Sequence, residues 1–143
     1  MPHLTVEYSG NLDKQINISD LLHRVHEAAL ATGAFEVAAV RTRAERREHY
    51  VIADDHKDNA FVAVRVRIAK GRDVETRKRI GEKVFNALCA YLDSKCGKEA
   101  PIGISLEVHE IDPTAAFRKN NLHTLVKERK ARTSAVRQGE GVS

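Results

Sequence analysis

The chain opens Met1-Pro2-His3, and chemistry can be read there from residue type alone. A methionine followed by a small residue is the kind that is trimmed, and trimming would leave Pro2 with a free secondary amine. An ordinary α-amino group titrates near ~7.7–8.0. Burial and neighbouring cations disfavour the ammonium form and lower that value. Such an amine could take and return a proton near neutral pH. The plainer explanation is a proline that merely starts a strand, where its missing N–H costs nothing.

Arginine is the second feature. Arg41 and Arg43 are two apart, so on a strand both face the same way. Arg72 stands in a Gly71-Arg72-Asp73 turn ahead of a helix. The planar guanidinium donates two parallel hydrogen bonds and suits carboxylates. Solvent-exposed charge is the competing explanation for all three. The seven histidines form no metal-ligand pattern. His23 and His26 share a helix without a H-E-x-x-H motif or a third ligand nearby, so no metal is expected. Cys89 and Cys96 are too far apart on one helix to be bridged and behave as small apolar residues. Nucleophile-elbow, phosphate-loop and dinucleotide motifs are absent from the sequence.

These residues need elements to hold them. Residues 3–8 alternate apolar and polar, which predicts a strand. Ser19-Asp20 opens a helix with Leu22, Val25, Ala29 and Leu30 on one face and Gly33 as its stop. Val37–Arg43 and His49–Ala53 suggest short strands or extended segments around the charged run Glu45-Arg46-Arg47-Glu48. Phe61–Ile68 is the strongest strand, with Val62, Val64, Val66 and Ile68 on one face. Asp73 is a candidate N-cap for a long helix to about Lys95, with Ile80, Val84, Leu88 and Leu92 at i+4 steps. Ile104, Leu106 and Val108 mark another strand. Pro113-Thr114 starts a short helix through Phe117 and Leu122 to about Lys130. The order is strand–helix–strand, twice. It predicts an α+β fold: two βαβ units sharing a four-stranded mixed sheet, both helices on one face. The other face would be open, and its Val or Ala residues would seek a partner, which favours oligomerisation.

The 143 residues, 42% of them hydrophobic, suit one domain that needs no disulfide or metal staple. No apolar run approaches the ~20 residues of a membrane span, and the N-terminus lacks a secretory profile. A cytoplasmic protein without membrane partners is expected. The pI of about 9.2 invites a nucleic-acid reading. Yet residues 127–143 hold five Lys or Arg against two acids, so most of the net +4 lies there. The body is nearly neutral and has no Trp and few aromatic residues, so no nucleic-acid partner is expected. Residues 1–127 form the expected domain, and 128–143 a basic tail without fixed structure.

The ordered set Met1-Pro2-His3, Ala31-Thr32-Gly33, Arg41-x-Arg43, Ala53-Asp54, Asp58-x-Ala60-Phe61-Val62, Gly71-Arg72-x-x-Glu75-x-Arg77, Gly81-Glu82-x-x-Phe85, Asp112-Pro113-Thr114 and Phe117-x-x-Asn120-Asn121-x-His123 resembles the 5-carboxymethyl-2-hydroxymuconate isomerase family of the tautomerase superfamily. The resemblance is colinear from Met1 to about Lys127. It implies a tautomerase-like homotrimer with no cofactor. It implies a 1,5 proton shift that turns 5-carboxymethyl-2-hydroxymuconate, or a related 2-hydroxydienoate, into its 2-oxo-enoate in homoprotocatechuate catabolism. By the same resemblance Pro2 is the acid/base, and Arg41 and Arg72 bind the small polycarboxylate. Arg43 is a weaker candidate, because two residues move it roughly 6–7 Å along a strand. His3, Asn120, Asn121 and His123 fit structural roles better.

Two features depart from the family pattern. Residues 44–50 are more charged than the aromatic-bearing stretch expected there, which would alter the substrate if they lined the pocket. The chain also continues past the family's usual end. Two other functions compete: a decarboxylase or dehalogenase using the same proline on this scaffold, and a non-enzymatic basic binding module.

Overall fold

The computed structural model describes residues 1–140, with side chains to Gln138. The main elements are β1 (His3–Ser9), α1 (Ile18–Ala31), β2 (Arg41–Arg47), β3 (Ala60–Ala69), α2 (Val74–Cys96), β4 (Ile102–Ile111) and α3 (Leu122–Glu140). Short 3₁₀ turns occupy Gly10–Lys14, Val37–Ala39 and Pro113–Ala115. The sheet order is β2-β1-β3-β4. The outer pairs β1–β2 and β3–β4 are parallel, each joined through a helix, and the central pair β1–β3 is antiparallel. This is the expected pair of βαβ units in one mixed sheet.

One sheet face is dry. Leu4, Val6 and Tyr8 of β1 and Val62, Val64, Val66 and Ile68 of β3 are buried at period two. Helix α1 meets them with Leu21, Val25 and Ala29, and α2 with Ile80, Val84, Leu88 and Leu92. These four-residue steps place one apolar stripe per helix against the sheet. Gly81 lets α2 approach β4: a Cβ there would lie 3.2 Å from Val108 Cγ2.

Helix α1 begins at Ile18, slightly earlier than Ser19-Asp20 suggests. Its N-cap is Asn17, whose side-chain oxygen accepts the Asp20 N–H at 3.1 Å. The Asn17 backbone is held separately by the Tyr91 hydroxyl, which accepts its N–H (3.1 Å) and donates to its carbonyl (3.0 Å). Asn17→Ala should therefore remove only the cap and cost about 1 kcal/mol. The expected readout is a lower urea midpoint with an unchanged slope. An unchanged midpoint would show that the cap contributes nothing.

Four further expectations need correction. The charged run Glu45-Arg46-Arg47 lies inside edge strand β2, because cross-element pairs satisfy it: Arg46 with Asp13 (2.6 Å), and Arg47 with Glu7 (2.7 Å) and Glu45 (2.8 Å). Charges on an edge strand also discourage stray pairing. Residues 49–53 form no strand. They lead into turns with positive φ at Ala53 (54°) and Asp55 (61°), and Asn59 clamps that loop through the Ile52 carbonyl (3.1 Å) and Asp54 (2.7 Å).

The third correction concerns the C-terminus. The single helix expected from Pro113 is a 3₁₀ turn, an irregular stretch and then α3. Helix α3 runs to Glu140, well past Lys130, so the segment expected to lack structure is helical that far. Lys, Glu, Arg and Ala are strong helix formers, and Glu128 faces Arg132 one turn on. Residues 141–143 of the expected tail lie outside the described residues.

The helix-free sheet face also differs from expectation. Ala63 and Phe61 lie there, but so do Glu7, Arg43, Glu45, Arg47, Arg65, Arg67, Glu107 and His109. It is a largely charged face, partly cross-linked by ion pairs such as Arg65–Glu45 (3.3 Å). It is not the Val- or Ala-rich surface whose desolvation would drive association. Among the described residues, no helix is long and apolar enough to cross a membrane.

Candidate active site

Pro2 lies just before β1 and is buried. Its carbonyl accepts the Arg41 N–H at 3.1 Å, which joins the chain start to the first residue of β2. With Met1 in place the Pro2 nitrogen is an amide and has no basicity. The amine of Met1 marks the local field. It is held below its ordinary value by burial first, then by the charges of Arg118, Arg41 and Arg72.

A cavity of about 350 Å³ opens at this point, lined by Pro2, Phe35, Glu36, Arg72, Arg118 and His123 among others. Arg72 reaches it from the β3–α2 turn. Gly71 takes φ 123°, a conformation that L side chains rarely adopt. Asp73 then caps α2 by accepting the Thr76 N–H at 2.8 Å. Between these two fixed points the Arg72 guanidinium donates to the Ala34 carbonyl (3.1 Å) and, more weakly, to that of Ala69 (3.4 Å). It also lies 5.0 Å from the Phe35 ring centre. Arg79 donates to the Thr32 carbonyl at 2.6 Å, so two arginines from α2 and its approach hold the loop after α1.

Arg41 donates to the Ala39 carbonyl at 2.7 Å and stands close enough to the chain start to disfavour its ammonium. Arg43 does not join this group. It is exposed on the helix-free sheet face, 3.0 Å from His3 Nδ1. His3 is held below its ordinary pKa by burial, then by Arg43, Arg67 and Arg41, so it stays neutral and accepts the arginine's hydrogen bond. Of the arginines singled out from sequence, the fold brings Arg41 and Arg72 to the chain start and sends Arg43 elsewhere.

The C-terminal motif closes one wall. Asn120 donates to the Ala38 carbonyl (3.3 Å) and accepts the Leu122 N–H (3.0 Å) at the start of α3. His123 Nδ1 lies 2.7 Å from Glu36. Both contacts secure the segment, as expected from sequence, and both residues also line the cavity. Residues 44–50 do not line it in the single chain.

Sequence reasoning passed over Arg118, an unassigned position in the Phe117-x-x-Asn120 motif. No local pattern could have found it, because its neighbour Met1 lies at the other end of the chain. Arg46, Arg47, Arg65 and Arg77 each pair with a carboxylate. Among the described residues Arg41, Arg72 and Arg118 pair with none. Three cations without counter-ions around the chain start are an arrangement that can attract and hold an anion.

A model of the 5-carboxymethyl-2-hydroxymuconate isomerase family matches residues 2–126. The 5-carboxymethyl-2-hydroxymuconate Delta-isomerase of Escherichia coli is 32% identical over 131 residues, which cover 89% of this chain and 100% of that protein. A solved 5-carboxymethyl-2-hydroxymuconate isomerase from Deinococcus radiodurans R1 superimposes with a TM-score of 0.79 at 32% identity, covering 87% of this chain and 93% of that one. A second solved 5-carboxymethyl-2-hydroxymuconate delta-isomerase gives 0.80 at 26% identity, over 88% and 93%. Sequence and fold agree over nearly the whole described body, and the chain belongs to the 5-carboxymethyl-2-hydroxymuconate isomerase family, a family of enzymes.

Proposed function

We propose that the chain isomerises 5-carboxymethyl-2-hydroxymuconate, or a close 2-hydroxydienoate, to its 2-oxo-enoate, with Pro2 as acid and base. The observation that carries this reading is the buried chain start among Arg41, Arg72 and Arg118, none neutralised by a carboxylate. Removal of Met1 would place a secondary amine in that field. Burial and three cations disfavour its ammonium and lower its pKa, which raises the share of neutral, basic amine at moderate pH.

The proton inventory closes on one group. The neutral amine takes the proton of the 2-hydroxyl. The O–H electrons become the C2=O π bond, the C2=C3 pair moves to C3=C4, and the C4=C5 pair takes the proton back from the ammonium at C5. Nothing is oxidised or reduced, so the step calls for no cofactor. Arg41 and Arg72 hold carboxylates and stabilise the charge of the dienolate, and their backbone anchors fix them before substrate arrives. The setting implied is cytoplasmic breakdown of homoprotocatechuate. The family match favours isomerisation over decarboxylation or dehalogenation on the same scaffold.

The test is ultraviolet absorbance of a panel of 2-hydroxydienoates as they ketonise. Ketonisation of the 5-carboxymethyl compound at higher kcat/KM than the others is expected. No turnover of any member would overturn the reading.

The homotrimer belongs to the same proposal. Its support in this chain is an edge rather than a face. Ten-residue β4 leaves one ladder side unpaired, and beside it a groove of about 520 Å³ is walled by Phe85, Ile104, Leu106 and Val108. A second copy covering that edge would bury both features. Light scattering should give three times the 16.0 kDa chain mass. A stable monomer at working concentration would count against it.

A further inference from the structure

Arg118 stands on a wall that the cavity at Pro2 shares with a second cavity of about 330 Å³. Met1 and Ala69 are the other residues common to both. The second cavity is lined by His3, Arg67, Lys70 and Arg118, with Phe117 beside them, and no carboxylate lines it. A ligand longer than the first cavity would thus pass the chain start and meet Arg118 at the junction.

The three arginines near the chain start are not equivalent. Arg41 donates to Ala39, and Arg72 to Ala34 and Ala69, so both are fixed from within the fold. Arg118 is exposed and, among the described residues, has no hydrogen bond or ion pair, so its whole donor fork is available. It rides on the stretch between the Pro113–Ala115 turn and α3, outside the sheet. That stretch is fixed nearby by Asn120 on the Ala38 carbonyl. Inner cations on rigid strands and turns suit the carboxylates nearest the reacting carbons. An outer cation at the mouth suits the carboxylate that is set off from C5 by a methylene.

We propose that Arg118 is the specificity-determining residue that binds the third carboxylate, and so sets preference for a tricarboxylate over a dicarboxylate. The assignment rests on the isomerase reading for the tricarboxylate and on cavity geometry for the residue. Lys70 and Arg67 line only the second cavity, whereas Arg118 reaches both.

The test compares Arg118→Ala, Arg118→Lys and Lys70→Ala on two dienols, 5-carboxymethyl-2-hydroxymuconate and 2-hydroxymuconate, which lacks the third carboxylate. Measured on the pH plateau above the acid limb, where the amine is neutral with or without this cation, Arg118→Ala should lower kcat/KM about tenfold or more for the first, mainly through KM, and less than about threefold for the second. Arg118→Lys should recover much of the loss, and Lys70→Ala should change neither substrate by more than about threefold. Calorimetric binding of propane-1,2,3-tricarboxylate against glutarate runs in parallel and needs no turnover. If the native protein turns over neither dienol but Arg118→Ala still weakens tricarboxylate binding alone, the isomerase reading fails and the Arg118 site stands. Equal losses for two- and three-carboxylate ligands, no loss, or a selective loss in Lys70→Ala instead would overturn the assignment.

Discussion

Replacing Pro2 with alanine should lower kcat/KM for the 5-carboxymethyl dienol by about 10²-fold, the low end of what a positioned general base contributes. The low end applies because alanine still offers a primary amine at the same place. What is lost is the ring, which restricts φ and holds the nitrogen in one direction. The fold should survive, since the residue-2 carbonyl that accepts the Arg41 N–H is kept by alanine. Intact-mass measurement must show Met1 absent in both proteins, because an acylated Pro2 nitrogen cannot accept a proton. The native pH profile carries the same information. The base must be neutral, so kcat/KM falls as pH drops through the amine pKa. Burial, Arg118, Arg41 and Arg72 lower that pKa, so activity should persist to lower pH than an ordinary amine of ~8 would allow. Undiminished turnover by the alanine variant would remove Pro2 from the mechanism.

Arg72→Ala should cost about 2–3 kcal/mol in transition-state binding, roughly 30- to 150-fold in kcat/KM. Three contributions meet at this side chain. It supplies a cation to a substrate carboxylate, it holds the Ala34 carbonyl, and it packs on Phe35. Two further readouts separate these. Loss of a cation raises the amine pKa, so the acid limb of kcat/KM should move to higher pH in Arg72→Ala. Arg72→Lys keeps the charge but not the planar fork, so its acid limb should stay near the native position while its kcat/KM recovers only in part. An acid limb that does not move in Arg72→Ala would restrict Arg72 to holding the loop.

Most of the architecture was legible because its signals are local. Alternation in β1, β3 and β4 and four-residue steps in α2 identify the buried stripes, and Asp73 marks the start of α2; the face expected for α1 took in the half-buried Leu22 and Leu30 and passed over the fully buried Leu21. Strand β2 was harder. Its charges read as a loop until long-range partners are supplied, with Asp13 lying 33 residues from Arg46 and Glu7 lying 40 from Arg47. The C-terminal helix was harder too, because an exposed polar segment has no apolar stripe from which to judge where it ends.

The site divides in the same way. Pro2, Arg41 and Arg72 could be named from residue type, spacing and family resemblance, because a candidate base at a chain start and arginines at a strand start and a helix approach are features of short segments. Sequence by itself therefore determined the element order, the faces of the strands and of α2, and the candidate chemistry. Only the tertiary structure decided which cations share the space around the chain start. His3 engages Arg43 on the helix-free face of the sheet. Arg118 arrives beside Met1 because β3 pairs with both β1 and β4, which carries the C-terminal segment to the chain's opening residues. Periodicity reports which way a residue faces within its own element. Whether two charges meet depends on the register of distant strands, and that is set by packing over the whole sheet.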